Sequence, residues 1–222
     1  MLSCNDVSIS NKPTTTLKNV SFKTFYGELM FVTGHSSDDS ALLLQCIGGL
    51  QTPDAGSITF EDKEITTFNT KARRLFRRQI GWLFSRPRLI DHLTVEQNIL
   101  LSLTVAANQY RSDTSRLRSV LEFVGMSNKK ALFPSQLSLN EQQLVCLARS
   151  IIHSPKMILA DNPTSFMSQQ EEHLFFERLR ILCVSGILVL VSTNHASGKA
   201  SDADRVLVLE KGQMKNLYSF ES

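Results

Sequence analysis

The stretch from Gly34 to Leu42 has the order of a phosphate-binding loop but lacks most of the groups that hold phosphate. A P-loop, G-x-x-x-x-G-K-[ST], surrounds anionic phosphates with backbone N–H groups, a helix N-terminus and a lysine. Here Gly34 keeps the first glycine, whereas the second glycine is replaced by Asp39. The lysine is Ser40, and the hydroxyl that would hold Mg²⁺ is Ala41. The sequence therefore predicts the strand, turn and helix of a P-loop without its charged contacts.

The free energy of these losses argues against tight nucleotide binding. Losing one charge-assisted hydrogen bond costs roughly 1.5–3 kcal/mol. An aspartate ~5 Å from a phosphate charge adds roughly 3 kcal/mol of repulsion at an effective dielectric constant of about 20. The sum exceeds ~4 kcal/mol, or about a thousandfold in affinity. We expect Ser37, Asp38 and Asp39 to be the N-cap and first-turn residues of the helix, with carboxylates in the place of the phosphate. An ordinary strand, loop and helix with no ligand also fits this window. The degenerate loop consists of Gly34, His35, Ser36, Ser37, Asp38, Asp39, Ser40, Ala41 and Leu42.

Composition limits the class of protein and the compartment. The chain has 222 residues, of which 42% are hydrophobic and 20% charged, as in an ordinary globular α/β domain with room for a helical subdomain. Its net charge of +3 is too small to indicate nucleic acid, so no such partner is expected. The four cysteines lack C-x-x-C spacing and are predicted to be buried thiols in a reducing compartment. Without a signal segment or a bilayer-spanning run, the chain is expected to be cytoplasmic or held at a membrane by a partner.

The apolar patterns predict an α/β fold built around the degenerate loop. A buried strand at residues 29–33 leads into it, and an apolar helix follows at 41–47. Further strands are predicted at 4–9, 17–25, 56–60, 63–65, 80–84, 157–160, 187–192 and 205–209. Helices are predicted at 71–78, 94–125, from 138 and at 169–183. Strands that alternate with helices imply a mostly parallel sheet covered on both faces.

Residue types and spacing predict the N-termini of two helices and a third helix that is basic. Thr94 with Gln97 and Ser138 with Glu141 have the spacing of capping boxes. The stretch RRLFRR at residues 73–78 is strongly basic. It is either a solvated basic face or a surface that lies near anionic lipid headgroups or an acidic partner.

Several long stretches resemble ABC-type ATPase subunits and, within that family, those of the FtsE type that act in cell division. They are GELMFVTGHS, FRRQIGWLF followed by LIDHLTVEQNILLSL, LSLNEQQLVCLARSIIHSPKMILADNPTS, and LVLVSTNH, in matching order and spacing. The resemblance implies a single P-loop NTPase-like ABC ATPase domain over residues 1–222. Its RecA-like core would occupy about 1–90 and 156–222, with a mostly parallel core sheet and an antiparallel β subdomain. A helical subdomain would occupy about 91–155. ATP and Mg²⁺ are the cofactors implied.

This chain departs from the family where the resemblance places the nucleotide and signature contacts. The aromatic residue that would stack on adenine is Asn11, and the glutamine that would sense the metal is Ser85. The glycines of the signature turn, which let a second subunit approach the γ-phosphate, are replaced by bulkier residues. That turn is Leu137, Ser138, Leu139, Asn140 and Glu141.

The catalytic positions implied by the resemblance are altered as well. Asp161 keeps the carboxylate that would hold Mg²⁺ through water, but the general base is Asn162, whose amide cannot accept a proton at neutral pH. The aspartate of the following loop is Ser168. The switch histidine aligns with Asn194, and His195 is a substitute only if the loop shifts.

These departures predict a pseudo-ATPase that keeps the fold and has lost hydrolysis. The resemblance implies that an FtsX-like membrane permease docks in a groove at Arg86, Pro87, Arg88 and Leu89, on the inner face of the cell membrane, in cell division or envelope remodelling. The subunit would pair with itself or with another ABC ATPase subunit. Two alternatives remain open: an ATPase in which other residues have taken over, and a subunit of a lipoprotein-release or macrolide-export transporter.

Overall fold

The computed structural model describes residues 1–11, 15–34, 37–107, 114–193 and 203–220. Within these ranges the strands are β1 (Leu2–Asn11), β2 (Thr15–Thr24), β3 (Leu29–Gly34), β4 (Ala55–Phe60), β5 (Lys63–Glu64), β6 (Ile80–Leu83), β7 (Met157–Asp161), β8 (Leu188–Thr193), β9 (Arg205–Glu210) and β10 (Gln213–Ser219). The helices are α1 (Ser37–Ile47), α2 (Thr70–Arg77), α3 (Val95–Ala107), α4 (Thr114–Val124), α5 (Leu139–Ile151) and α6 (Gln169–Val184).

A six-stranded sheet forms the centre of the molecule, in the order β10-β9-β3-β8-β7-β6. All neighbouring strands in it are parallel except β10, which runs antiparallel to β9. One face of β3 packs on α1 through Met30 and Val32, and the other packs on the cluster that holds α5 and α6 through Leu29 and Phe31. The predicted mostly parallel sheet with both faces covered is therefore confirmed.

A second sheet is antiparallel, with the order β2-β1-β4-β5. Its β1–β2 and β4–β5 pairs are antiparallel, in agreement with the antiparallel β subdomain that the resemblance implies. The predicted strand at 63–65 is shorter than expected, because Ile65 begins a single turn of 3₁₀ helix. β10 was not predicted, since its side chains are almost all exposed and carry no apolar alternation.

Helices α3, α4 and α5 pack side by side through a shared apolar cluster that also reaches the large sheet. Both predicted capping boxes are present. The Thr94 N–H donates to Gln97 Oε1 at 2.9 Å, and the Ser138 N–H donates to Glu141 Oε2 at 2.9 Å. The predicted helical character of 94–125 is confirmed for its described residues.

The four cysteines are free and buried, as predicted. Burial raises the pKa of the Cys46 and Cys183 thiols to about 12, so both are protonated at neutral pH. Over the part of the chain that the structure describes, no helix combines the length and the apolar composition that crossing a bilayer requires.

Candidate functional site

The carboxyl ends of the parallel strands bring the sequence-predicted site residues to one edge of the large sheet. β3 ends at Gly34, and β7 ends at Asp161, which lies opposite Ser192 of β8. β6 ends two residues before Ser85. Open α/β sheets bind their ligands outside this edge. His35 and Ser36 of the degenerate loop, and Asn194 and His195 after β8, lie outside the described residues.

Helix α1 begins at Ser37, the residue predicted as its N-cap, although its apolar pattern starts only at Ala41. Its first turn holds Asp38 and Asp39, in agreement with the prediction that carboxylates occupy this helix N-terminus. Carboxylates are favoured there because they oppose the positive end of the helix dipole. The turn SDDS lacks apolar residues, so periodicity alone could not include it in the helix.

Asp39 is directed into the protein rather than left in solvent. It is 7% exposed, and the backbone N–H of Gly212, in the turn between β9 and β10, donates to its carboxylate. Burial raises the pKa of this carboxyl, the Gly212 hydrogen bond opposes the rise, and neighbouring Asp38 adds to it. Ser40, at the position of the P-loop lysine, is 1% exposed. The first turn of α1 therefore presents negative charge and no cation where a phosphate would bind.

Asp161 and Asn162 are tied to the end of β8 by one hydroxyl group. Ser192 Oγ donates to Asp161 Oδ1 at 2.8 Å and accepts the Asn162 N–H at 3.0 Å. Burial raises the pKa of Asp161, while Ser192 and Arg88 lower it and Asp38 raises it further. Asn162 has φ +41°, a left-handed conformation that asparagine tolerates better than most residues. The carboxylate assigned to Mg²⁺ thus has a partner within the protein.

These residues do not fit ATP with Mg²⁺, the cofactor pair implied by the resemblance. A buried serine hydroxyl replaces the cation at Ser40, and the Ala41 methyl group offers no oxygen to a metal. At Asn162 an amide stands where a general base is needed. The side chain of Asn11, at the end of β1, is not described. Among the described residues, Ser40, Ala41 and Asn162 occupy the positions of the P-loop lysine, the metal-binding hydroxyl and the general base.

The polar side chains of the signature turn make hydrogen bonds and an ion pair with other residues of the chain. Ser138 caps α5 and shares a capping box with Glu141, which also pairs with Lys129. The Lys129 hydrogen bond, followed by the Ser138 N–H, lowers the pKa of the Glu141 carboxyl. Leu137 is buried, whereas Leu139 projects into solvent with 55% of its surface exposed. An exposed leucine replaces the flat glycine surface expected of this turn.

A side-chain link joins the signature turn to the loop that follows β7. Asn140 Nδ2 donates to Glu171 Oε1 at 2.8 Å, and the other oxygen of Glu171 accepts the Ser168 N–H at 2.8 Å. Ser168, which replaces the family's aspartate, is the N-cap of α6. The starts of α5 and α6 are therefore coupled through one carboxylate. Sequence analysis did not predict this link, because it joins residues that are distant along the chain.

The segment predicted as a partner groove lies on the surface next to the site edge. Arg86 and Arg88 are exposed, Pro87 and Leu89 are half-buried, and Leu89 packs on the core. The Arg88 guanidinium lies 3.8 Å from the centre of the Phe84 ring. Ser85, which replaces the metal-sensing glutamine, is half-buried, and its carbonyl accepts a long 3.4 Å hydrogen bond from Ser165 Oγ.

Two buried amides that sequence analysis did not single out hold this segment in place. Asn98 of α3 is 0% exposed, accepts the Ile90 N–H at 2.8 Å and donates to the carbonyls of Ile90 and Leu93. Gln143 of α5 is also fully buried, and its Nε2 donates to the Phe84 carbonyl at 2.9 Å. The sequence pattern that could have indicated these two residues is a single amide on the apolar face of each helix.

The fold and the site edge together define a P-loop NTPase-like α/β domain. A family model described as "ABC transporter" matches residues 17–165. The chain therefore belongs to the ABC transporter family.

Curated relatives similar to this chain include methionine import ATP-binding proteins. The MetN protein of Brucella abortus (strain 2308) is 34% identical over 200 residues, which cover 90% of this chain and 54% of that protein. MetN 1 of Listeria monocytogenes serovar 1/2a is 31% identical over 208 residues, which cover 93% of this chain and 62% of that protein. The chain thus spans about half to three fifths of the length of these relatives.

Solved ATP-binding cassettes share the fold over its whole length. MJ0796, described as a bacterial ABC transporter cassette in a dimeric structure, matches with a TM-score of 0.88 and 25% identity and covers 100% of both chains. CbiO1 of Clostridium perfringens, part of the ABC transporter complex cbiONQ, matches with a TM-score of 0.86 and 21% identity. That match covers 98% of this chain and 88% of CbiO1. The predicted ABC ATPase fold is confirmed.

Proposed function

We propose that this chain is an ABC-type subunit that does not hydrolyse ATP and that acts by binding a membrane permease. The observation that carries the proposal is Asn162, whose amide follows Asp161 at the end of β7 and takes the place of the general base. An amide has no basic lone pair with which to deprotonate the attacking water. The carboxylate of Asp39 in the first turn of α1 supports the same conclusion, because it repels a phosphate.

The permease would dock at residues 85–89, and the subunit would lie on the inner face of the membrane through that contact. Arginine, proline and leucine side chains there supply the charged and apolar anchors that interfaces use. A helix that docks in a groove needs no nucleotide. We retain the division into a core at about 1–90 and 156–222 and a helical subdomain at about 91–155. Pairing with a second copy or with another ABC subunit stays open.

Two types of permease are candidates for the partner, one favoured by the sequence resemblance and the other by the curated relatives. The quoted sequence stretches resemble FtsE, which favours an FtsX-like permease and a role in cell division or envelope remodelling. The curated relatives are methionine import proteins, which favours a permease of that type. Lipoprotein-release and macrolide-export permeases are further alternatives. Copurification with each permease in turn distinguishes them.

Calorimetric titration with Mg-ATP, up to millimolar nucleotide, tests the loss of nucleotide binding. We expect no heat of binding from the natural chain, because Asp39 and Ser40 replace a glycine and a cation. The variant Asp39→Gly/Ser40→Lys/Ala41→Ser restores the P-loop groups and should gain about a thousandfold in affinity. Micromolar binding by the natural chain, or phosphate release that is lost in Asp161→Ala, would instead identify a working ATPase.

Copurification of the permease with variants of residues 85–89 tests the docking surface. We expect Arg86→Ala to reduce the amount of bound permease about tenfold, as truncation of an interface anchor does when it costs about 1.4 kcal/mol. Leu89→Asp should reduce it further by placing a charge in an apolar contact. Ser40→Ala, at the buried P-loop position, is the control and should bind normally. Full binding by both groove variants would refute docking at this surface.

A further inference from the structure

A cavity of about 270 Å³ opens at the start of β6, at the opposite end of that strand from residues 85–89. It lies between the end of α2, the second half of α3 and the end of α5. Its polar lining is Arg77, Arg78, Ser102, Arg149 and His153, and its apolar lining is Ile80 and Leu101. We call it the arginine cavity.

The arginine cavity carries a concentrated positive charge. Arg77 of α2, Arg78 directly after it and Arg149 of α5 line it, and none of the described residues that line it is acidic. Burial lowers the pKa of His153, although the backbone carbonyls of Ile80 and Arg149 favour its charged form. The imidazole is therefore neutral at neutral pH, and the charge of the cavity comes from the arginines.

The placement of arginines on two different helices favours a phosphoryl group over a carboxylate as the ligand. Each planar guanidinium offers paired N–H donors that match the spacing of two oxyanion oxygens. A planar carboxylate has two oxygens, whereas a tetrahedral phosphoryl group directs three or four oxygens to different sides. Arg77 of α2 and Arg149 of α5 line the cavity from two different helices, so a tetrahedral phosphoryl group between them can accept hydrogen bonds from both.

The surface next to the cavity indicates where such a group would come from. Helix α2 has the sequence TKARRLFR, without an acidic residue, and exposes Lys71 and Arg74. Leu75 lies beside them with 46% of its surface in solvent. Cations around an exposed apolar side chain are typical of helices that lie at the surface of an anionic bilayer. A binding site for free phosphate would need neither Leu75 nor the outer cations.

We propose that the arginine cavity binds the phosphoryl headgroup of an anionic phospholipid while Lys71, Arg74 and Leu75 of α2 rest on the bilayer surface. This contact is separate from the permease-docking surface and requires no nucleotide. It gives the chain a direct attachment to the membrane, in addition to its attachment through a protein partner.

Flotation of the purified full chain with lipid vesicles tests the proposal without any permease. We expect the natural chain to float with vesicles of phosphatidylcholine mixed with phosphatidylglycerol and to stay behind with phosphatidylcholine alone. Arg77→Gln and Arg149→Gln should each lower the partition coefficient about fivefold, the usual effect of one cation at such a surface. Leu75→Ser should weaken binding without any change in charge.

The matched control is Arg118→Gln on α4, which removes an equally charged residue from an exposed i,i+4 pair with Glu122. It should float like the natural chain. Equal loss in Arg118→Gln and Arg77→Gln would show a diffuse charge effect and overturn the proposal. Absence of flotation would also overturn the proposal and would instead favour an acidic protein as the partner of this basic face. Calorimetric binding of inorganic phosphate, lost in Arg77→Gln and unaccompanied by flotation, would identify free phosphate as the ligand instead. Loss of permease binding in the earlier test would leave all these outcomes unchanged.

Discussion

At the scale of single residues, the polar groups of the site edge have found partners within the protein. Ser192 satisfies Asp161, the Gly212 N–H satisfies Asp39, and Glu171 satisfies Asn140. In a nucleotide-binding cassette such groups would be completed by phosphate oxygens, a metal or a second subunit. Each internal hydrogen bond lowers the affinity for a ligand at the same group, because the ligand would first have to break that bond.

Asp39 makes the stability of the fold depend on pH in a predictable direction. Burial raises its pKa in the folded state, so the folded chain is penalised for holding the ionised form at neutral pH. That penalty disappears as pH falls through the raised pKa towards the unfolded value. We expect Asp39→Asn, which keeps an oxygen for the Gly212 N–H, to melt at a higher temperature than the natural chain at pH 7.

Comparison of the two melting temperatures over pH isolates this residue, because all other carboxyl groups are shared. The advantage of Asp39→Asn should shrink steadily as pH falls from 7 to 4. A difference that is constant over that range would show that the ionisation of Asp39 is not the cause. Asp91→Asn, at an exposed aspartate outside this site, serves as the reference substitution.

At the scale of elements, α3 and α5 do more than fill the core, because each supplies a buried amide to the segment after β6. Asn98 makes hydrogen bonds to the backbone of Ile90 and Leu93, and Gln143 makes one to Phe84. The predicted docking segment is thereby held as a fixed loop. The helices behind it therefore fix the backbone on both sides of the segment.

Asn98→Leu should destabilise the protein by about 3 kcal/mol, because it leaves several buried backbone groups without partners. For a domain of this size, that corresponds to a fall in melting temperature of about 6–12 °C. Thermal denaturation measures the effect. Asn128→Leu, at an exposed asparagine, is the control and should change stability by less than about 0.5 kcal/mol. Equal melting temperatures for the two variants would mean that Asn98 has no such role.

At the scale of the whole molecule, the sequence was sufficient for the parts of the fold that depend on local patterns. The apolar run of β3, the period of α5 and the boxes at Thr94 and Ser138 each carry their own signal. β10 carries none, because almost all of its side chains are exposed and only Leu217 packs on the core. The contacts Asp39–Gly212 and Asn140–Glu171 could not be predicted either, since only the completed fold brings these residues together.

The internal pairing at the site edge also bears on how the protein behaves in a cell. A cassette that binds ATP is stabilised by mass action, so its folded population follows the nucleotide concentration. In the non-hydrolysing subunit proposed above, Asp161 and Asp39 are paired with Ser192 and Gly212 of the same chain, and no nucleotide contributes to stability. We expect such a subunit to keep the same shape and lifetime in starved and in growing cells. A structural subunit with that property would hold its complex together when the energy supply fails.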